Sequence, residues 1–165
     1  MIRQIDSNGM DMVEKAILRL RAYEPLEGYH LAFSGGKDSC AIKMLADLAG
    51  VEYEAHYSVT GVDPPELCYF IREKYPDVIW DIPRDRDGNR ITMWSLIEKK
   101  GVPPTRRMRY CCQSLKESQG KGKLTITGVR WAESPRRKRN HGEVTFVDKK
   151  RPERQKENLA ILIIR

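Results

Sequence analysis

The chain has 165 residues, of which 40% are hydrophobic and 32% charged. That composition suits one globular domain with a sizeable core and excludes a disordered or fibrous polymer. A net charge of +7 and a pI near 9.3 favour an anionic partner, either a nucleotide or a nucleic acid. No apolar run approaches about 18 residues, so no membrane span is expected, and the N-terminus lacks a secretory pattern. These features predict a cytoplasmic protein in a reducing compartment, where its four cysteines are not disulfide staples.

In chain order, Met10 to Tyr23 carries apolar residues at helical spacing and predicts an amphipathic first helix, ended by Pro25 and Gly28. Tyr29 to Phe33 reads as a short buried strand, and Cys40 to Leu48 returns to a helical period up to a stop at Gly50. Val51 to Val59 predicts a second strand, Glu66 to Lys74 a helix with proline at its start, and Val78 to Ile82 a third strand. A polar loop, Arg84 to Arg90, precedes a helix from about Thr92 to Lys99, which Gly101-Val102-Pro103-Pro104 breaks. Cys112 to Ser118 predicts a further short helix and Leu124 to Val129 a fourth strand. Gly142 to Asp148 reads as a short edge strand and Leu159 to Ile164 as a buried one. Strands alternating with helices predict a single Rossmann-like α/β domain over residues 1–165. Its expected form is a three-layer α/β/α arrangement around a mostly parallel five-stranded sheet. Ligands of such sheets sit at the carboxyl ends of the strands, so the loops after the strands should converge on one site.

The loop after the first strand is Ser34-Gly35-Gly36-Lys37-Asp38-Ser39. A strand turning through two glycines into a helix makes a phosphate cradle, because glycine admits a close anion and the first helical N–H groups point at it. Ser34 and Ser39 add hydroxyls and Lys37 a positive charge. Asp38 repels phosphate unless Mg²⁺ sits between them, which makes it a candidate Mg²⁺ ligand and favours a nucleotide triphosphate or phosphosulfate. The spacing is neither a Walker A loop nor a Gly-x-Gly-x-x-Gly dinucleotide fingerprint.

These six residues resemble the PP-loop of the adenine-nucleotide alpha-hydrolase superfamily, which includes the ATP pyrophosphatases and the phosphoadenosine phosphosulfate (PAPS) reductases. Thr127-Gly128-Val129-Arg130-Trp131-Ala132-Glu133-Ser134-Pro135-Arg136-Arg137 resembles the Thr-Gly-[Ile/Leu]-Arg-x-x-[Gln/Glu]-Ser-x-x-Arg motif of PAPS reductases. Arg130 and Arg137 hold its arginine positions, where guanidinium groups would grip phosphate or sulfate oxygens. Thr60-Gly61-Val62-Asp63-Pro64-Pro65-Glu66 is loosely similar to the region after the family's second strand. Asp63 and Glu66 there suit a ribose hydroxyl, Mg²⁺ or a helix cap. Cys111-Cys112-Gln113-Ser114-Leu115-Lys116 is similar to the Cys-Cys-x-x-x-Lys segment of iron–sulfur adenylyl-sulfate reductases, which implies Cys111 and Cys112 as cluster ligands and Lys116 as a nucleotide contact. A [4Fe–4S] cluster takes four thiolates. Cys40 and Cys68 lack a Cys-x-x-Cys pair and read as packed helix residues. His30, His56 and His141 show no zinc spacing.

The resemblance runs from about Tyr29 to Arg137 and implies a PAPS reductase-like protein that binds ATP, PAPS or adenylyl sulfate. Lys37 and Arg130 would be its charge-stabilising residues. The Glu-Cys-Gly-x-His sequence that supplies the family's sulfur-attacking thiol does not occur in these residues, and the domain is expected to lack the family's usual C-terminal extension. One alternative is an ATP pyrophosphatase that adenylates an acceptor for sulfur transfer to tRNA or DNA. The basic runs Arg136-Arg137-Lys138-Arg139 and Lys149-Lys150-Arg151 would suit that acceptor. The other alternative is a nucleotide-binding module without catalysis. Expected partners are the nucleotide, a nucleic acid or thiol-donor protein, and a second copy of the chain.

Overall fold

The computed structural model describes residue 5, residues 9–116, residues 122–128 and the strand backbones 144–147 and 159–164. Helix α1 (Met12–Ala22) starts at Asp11, whose carboxylate accepts the Val13 N–H at 3.0 Å. Strand β1 (Tyr29–Ala32) leads through a four-residue turn into α2 (Lys37–Ala49). This helix begins earlier than its apolar period suggests, so Lys37, Asp38 and Ser39 form its first turn. Strand β2 (Tyr53–Ser58), α3 (Pro65–Lys74) and β3 (Ile79–Asp81) follow. Helix α4 (Met93–Lys100) opens on a reciprocal cap between Thr92 and Ser95 and closes at Gly101. Helix α5 (Tyr110–Leu115) starts two residues earlier and ends three residues earlier than the expected Cys112 to Ser118. Strands β4 (Thr125–Gly128), β5 (Val144–Val147) and β6 (Leu159–Ile164) complete the order.

The sheet runs β3-β2-β1-β4-β6-β5. Its core, β3-β2-β1-β4, is parallel throughout: Tyr29 pairs with Tyr53, His30 with Thr125 and His56 with Ile79. Strand β6 lies parallel to β4, and β5 runs antiparallel on the edge. Among the described residues the sheet therefore has six strands rather than five, because both C-terminal apolar segments join it. From β1 the chain steps outward to β2 and β3, then crosses back to β4 on the other side of β1. The strand order thus reverses between β1 and β4, where open α/β sheets form a crevice for ligands.

Side chains alternate across the strands, and the two faces differ in kind. Tyr29, Leu31, Ala55, Tyr57 and Ile126 point to one face and join Ala16, Leu20, Ile42, Ala46 and Ile71 of α1, α2 and α3 in a single core. The opposite face carries His30, Glu54, His56, Asp81 and Thr125. Where core meets rim, polar atoms find partners. The Tyr29 hydroxyl donates to the Leu20 carbonyl at 2.7 Å, and its burial pushes the phenol well above its usual range. Buried Lys43 reaches Asp77 and the Tyr53 hydroxyl, each at 2.8 Å. Among the described residues, no helix is long and apolar enough to cross a membrane.

Candidate functional site

The Ser34–Ser39 loop sits at the carboxyl end of β1, beside the reversal of strand order. Its inner scaffold is Ser39, which is 5% exposed. The Ser39 hydroxyl donates to the Gly36 carbonyl at 2.9 Å and accepts the Ser34 N–H at 3.2 Å. The Ser34 hydroxyl also reaches it at 3.2 Å. Ser39 therefore shapes the loop from within, while Ser34, Gly36 and Lys37 remain exposed on its outer side. Gly36 is the N-cap of α2, and among the described residues no side chain caps that end. The first-turn N–H groups thus face outward in the manner that suits a bound anion.

The two glycines of the loop have different duties. Gly35 has φ +70°, and a β-carbon there would fall 2.7 Å from Leu67 Cδ1 and 3.0 Å from Ile71 Cδ1 of α3. The loop is therefore wedged against α3, and only glycine fits the conformation and the space together. Gly36 would meet only the Ser34 hydroxyl, at an ordinary 3.5 Å. A third glycine, Gly128 at the end of β4, faces the start of α2. A β-carbon there would lie 2.9 Å from Ile42 Cδ1 and 3.2 Å from the Asp38 carbonyl carbon. The sequence reading assigns Gly128 to close approach of a nucleotide; in the structure it admits the first turn of α2 to the end of β4. Asp38 is half-buried at that contact. Arg130 and Arg137 lie outside the described residues.

Beside the loop, on the polar face of the sheet, is a cavity of about 140 Å³. Ser34 lines it together with His30, His56, Ser58, Asp63 and Lys116. Lys116, at the end of α5, is thereby brought to the same place as the first loop residue, although 82 positions separate them in the chain (116 − 34).

The histidines here form a constellation that the sequence reading missed. His30 and His56 stack with ring centroids 4.4 Å apart. His56 Nδ1 lies 3.0 and 3.2 Å from the two Asp81 carboxylate oxygens. Because a carboxylate only accepts, Nδ1 carries the proton, and Nε2 is buried without a hydrogen-bond partner among the described residues. Glu54 Oε2 is 3.7 Å from Nε2 and is also paired with Lys123. His30 has its pKa lowered to about 4, first by burial and then by His56, against the opposing pull of Asp81. The available signal was strand parity: His30 and His56 occupy positions that face the same way on adjacent parallel strands.

The loop after β2 forms a second wall. Thr60, buried, donates to Asp63 Oδ2 at 2.5 Å, and the Tyr57 hydroxyl donates to the same oxygen at 2.9 Å. Burial and the Asp63 carboxylate both hold the Tyr57 phenol far above its usual range. Asp63 does not cap α3, whose N-cap is Pro64. A cavity of about 280 Å³ opens between Gly61, Asp63, Cys68, Tyr69 and Arg90.

The four cysteines fall in three helices: Cys40 in α2, Cys68 in α3, and Cys111 and Cys112 in α5. Cys40 packs against the core as a small apolar residue, in line with its sequence reading. Among the described residues, no group of three or more His, Cys, Asp or Glu side chains is placed to hold a metal ion. Cys111 and Cys112 thus have no further thiolates arranged beside them, and the described donor set does not fit a [4Fe–4S] cluster. No protein-family model and no curated protein matches the chain.

Proposed function

We propose that the chain is an adenine-nucleotide-binding protein of the PAPS reductase-like kind, with the three-layer Rossmann-like architecture of PP-loop proteins. The observation that carries this reading is the position of Ser34–Ser39 at the point where the sheet order reverses, with the uncapped N-terminus of α2 facing outward. In this reading the α2 N–H groups, Ser34 and Lys37 hold the phosphates. Thr60 and Gly61 border the nucleotide from the next loop, and Lys116 adds charge from the cavity. Arg130 and Arg137 belong to the same proposal through their motif.

The family-level reaction is reduction of a sulfonucleotide, in which a thiolate takes the sulfur. A second reading needs no protein thiolate and is favoured by the net charge of +7. There, an oxygen of an acceptor attacks the α-phosphorus of ATP. The bond to the β-phosphate breaks, and pyrophosphate leaves with the electron pair. Lys37 and the α2 N-terminus would stabilise the charge that develops. A tRNA or DNA acceptor would suit the basic runs.

Calorimetric titration with ATP, adenylyl sulfate and PAPS ranks the ligands, and at least one should bind. Gly36→Asp should abolish that binding, because its carboxylate would occupy the anion position. Asp is also a favourable N-cap, so the fold should survive. Unchanged affinity in this variant overturns the assignment. Sulfite release from PAPS supports reduction, pyrophosphate release with tRNA or DNA supports adenylation, and binding without either supports a non-catalytic module.

A further inference from the structure

Cys111 and Cys112 stand next to each other in the first turn of α5, with their sulfurs 4.0 Å apart. Both are half-buried rather than sealed in the core. The Arg109 guanidinium reaches Cys112 Sγ at 3.5 Å and places a positive charge beside that sulfur. The helix they occupy has only six residues. Its ends are tied by the Cys112 N–H to the Arg109 carbonyl at 3.1 Å and by the Lys116 N–H to the Cys112 carbonyl at 3.0 Å. The Tyr110 hydroxyl anchors it to the Val102 carbonyl at 2.6 Å. Lys116, one helical turn beyond Cys112, lines the cavity that Ser34 also lines.

We propose that Cys111 and Cys112 are a redox-active dithiol whose oxidation to a vicinal disulfide opens α5 and withdraws Lys116 from the cavity beside Ser34. The oxidant class is a peroxide. The Cys112 sulfur attacks one peroxide oxygen, the O–O bond breaks, and water leaves a sulfenic acid behind. The Cys111 sulfur then attacks the Cys112 sulfur, the S–O bond breaks, and a second water leaves. The two sulfurs together lose two electrons, the peroxide gains them, and both thiol protons end in water.

The helix cannot survive that bond. A disulfide needs its sulfurs about 2.05 Å apart and usually joins Cα atoms about 4.4–6.8 Å apart. Adjacent Cα atoms across a trans peptide are only about 3.8 Å apart. The backbone at Cys111 and Cys112 must therefore leave its helical dihedrals, and the Cys112 carbonyl loses its alignment with the Lys116 N–H. A bond strained in this way is readily reduced, so a dithiol reductant restores the helix. The effect on a ligand rests on the nucleotide reading above; the dithiol chemistry does not.

The test uses the full chain. Trypsin cuts after Arg109 and Lys116, so the peptide Tyr110–Lys116 carries Cys111 and Cys112 without Cys40 or Cys68. After brief treatment with hydrogen peroxide and alkylation, this peptide should appear unalkylated and about 2 Da lighter than its reduced form, the mass of two hydrogens. Amide exchange over residues 110–116 should quicken at least roughly tenfold and recover with dithiothreitol, whereas Cys112→Ser should show neither change. A peptide that remains alkylated at both thiols overturns the dithiol, and a disulfide with unchanged exchange overturns the opening of α5. ATP affinity should fall roughly tenfold on oxidation, the scale of one charged contact. Unchanged affinity overturns the withdrawal of Lys116. If the reduced protein binds no adenine nucleotide, the nucleotide reading fails, and the peptide mass still decides the dithiol.

Discussion

Gly35 presses its α-carbon against α3 so closely that a β-carbon would lie 2.7 Å from Leu67 Cδ1. The same residue holds φ +70°, a conformation that costs other residues about 1 kcal/mol or more. Gly35→Ala should therefore lower stability by about 1–3 kcal/mol and misplace the loop. Gly36→Ala, at φ −78° with room for a β-carbon, should cost less than about 1 kcal/mol. Thermal unfolding of both variants checks the contrast, and equal losses would contradict it.

Gly128 plays a comparable part between β4 and α2. Gly128→Ala places a methyl 2.9 Å from Ile42 Cδ1, the flexible end of a side chain, but also 3.2 Å from helix backbone at Asp38. A loss of about 1–3 kcal/mol is expected. Ile42→Val removes that Cδ1, so the double variant should be more stable than the sum of the two single losses. A strictly additive result in urea unfolding would show that Ile42 is not the obstacle.

Burial holds His30 at a pKa of about 4, below its ordinary 6.5, with His56 and Lys123 acting in the same direction and Asp81 and Glu54 against. Between these values the unfolded chain binds the proton and the folded chain does not. Stability from this residue is thus complete above pH 6.5 and is lost as the pH falls toward 4. The loss is on the order of 2–3 kcal/mol. His30→Gln should flatten the stability curve between about pH 6.5 and 5, above the range where ordinary carboxylates titrate. An unaltered slope by urea titration would count against it.

Asp63 joins Tyr57 and Thr60 through one carboxylate oxygen, so the loop after β2 depends on it. Thr60→Val leaves the loop without a buried hydroxyl that also accepts the Val62 N–H at 3.3 Å. A loss of about 1–3 kcal/mol is expected, with faster amide exchange at Val62. Tyr57→Phe should cost less than Thr60→Val, because it removes one donor to Asp63 and keeps the ring packed against Trp80. Reversal of that order would place the loop's anchor at Tyr57.

Local pattern carried much of this architecture. The course of α1 within Met10 to Tyr23, the ends of α2 and α4 at Gly50 and Gly101, and the parallel core strands are legible because glycine stops and apolar runs act over a few residues. Boundaries moved where polar residues took helical positions, as Lys37 to Ser39 do in α2 and Tyr110 does in α5. Both C-terminal strands were read from their apolar runs, but their joining one sheet was not, because β5 pairs with β6 and β6 with β4 over long sequence separations.

The amino-acid sequence alone determined that a serine-, glycine- and lysine-rich turn joins a buried strand to a helix, since that follows from residue type and local period. Tertiary structure decided what each member of that turn does. Ser39 turned inward and Ser34 outward, Gly35 met α3, and Gly128 met α2. It also gathered His30, His56, Asp81 and Lys116 around one side of the loop. The physical reason is that strand register and helix packing place residues by neighbouring elements, and such distances are not encoded in spacing along the chain.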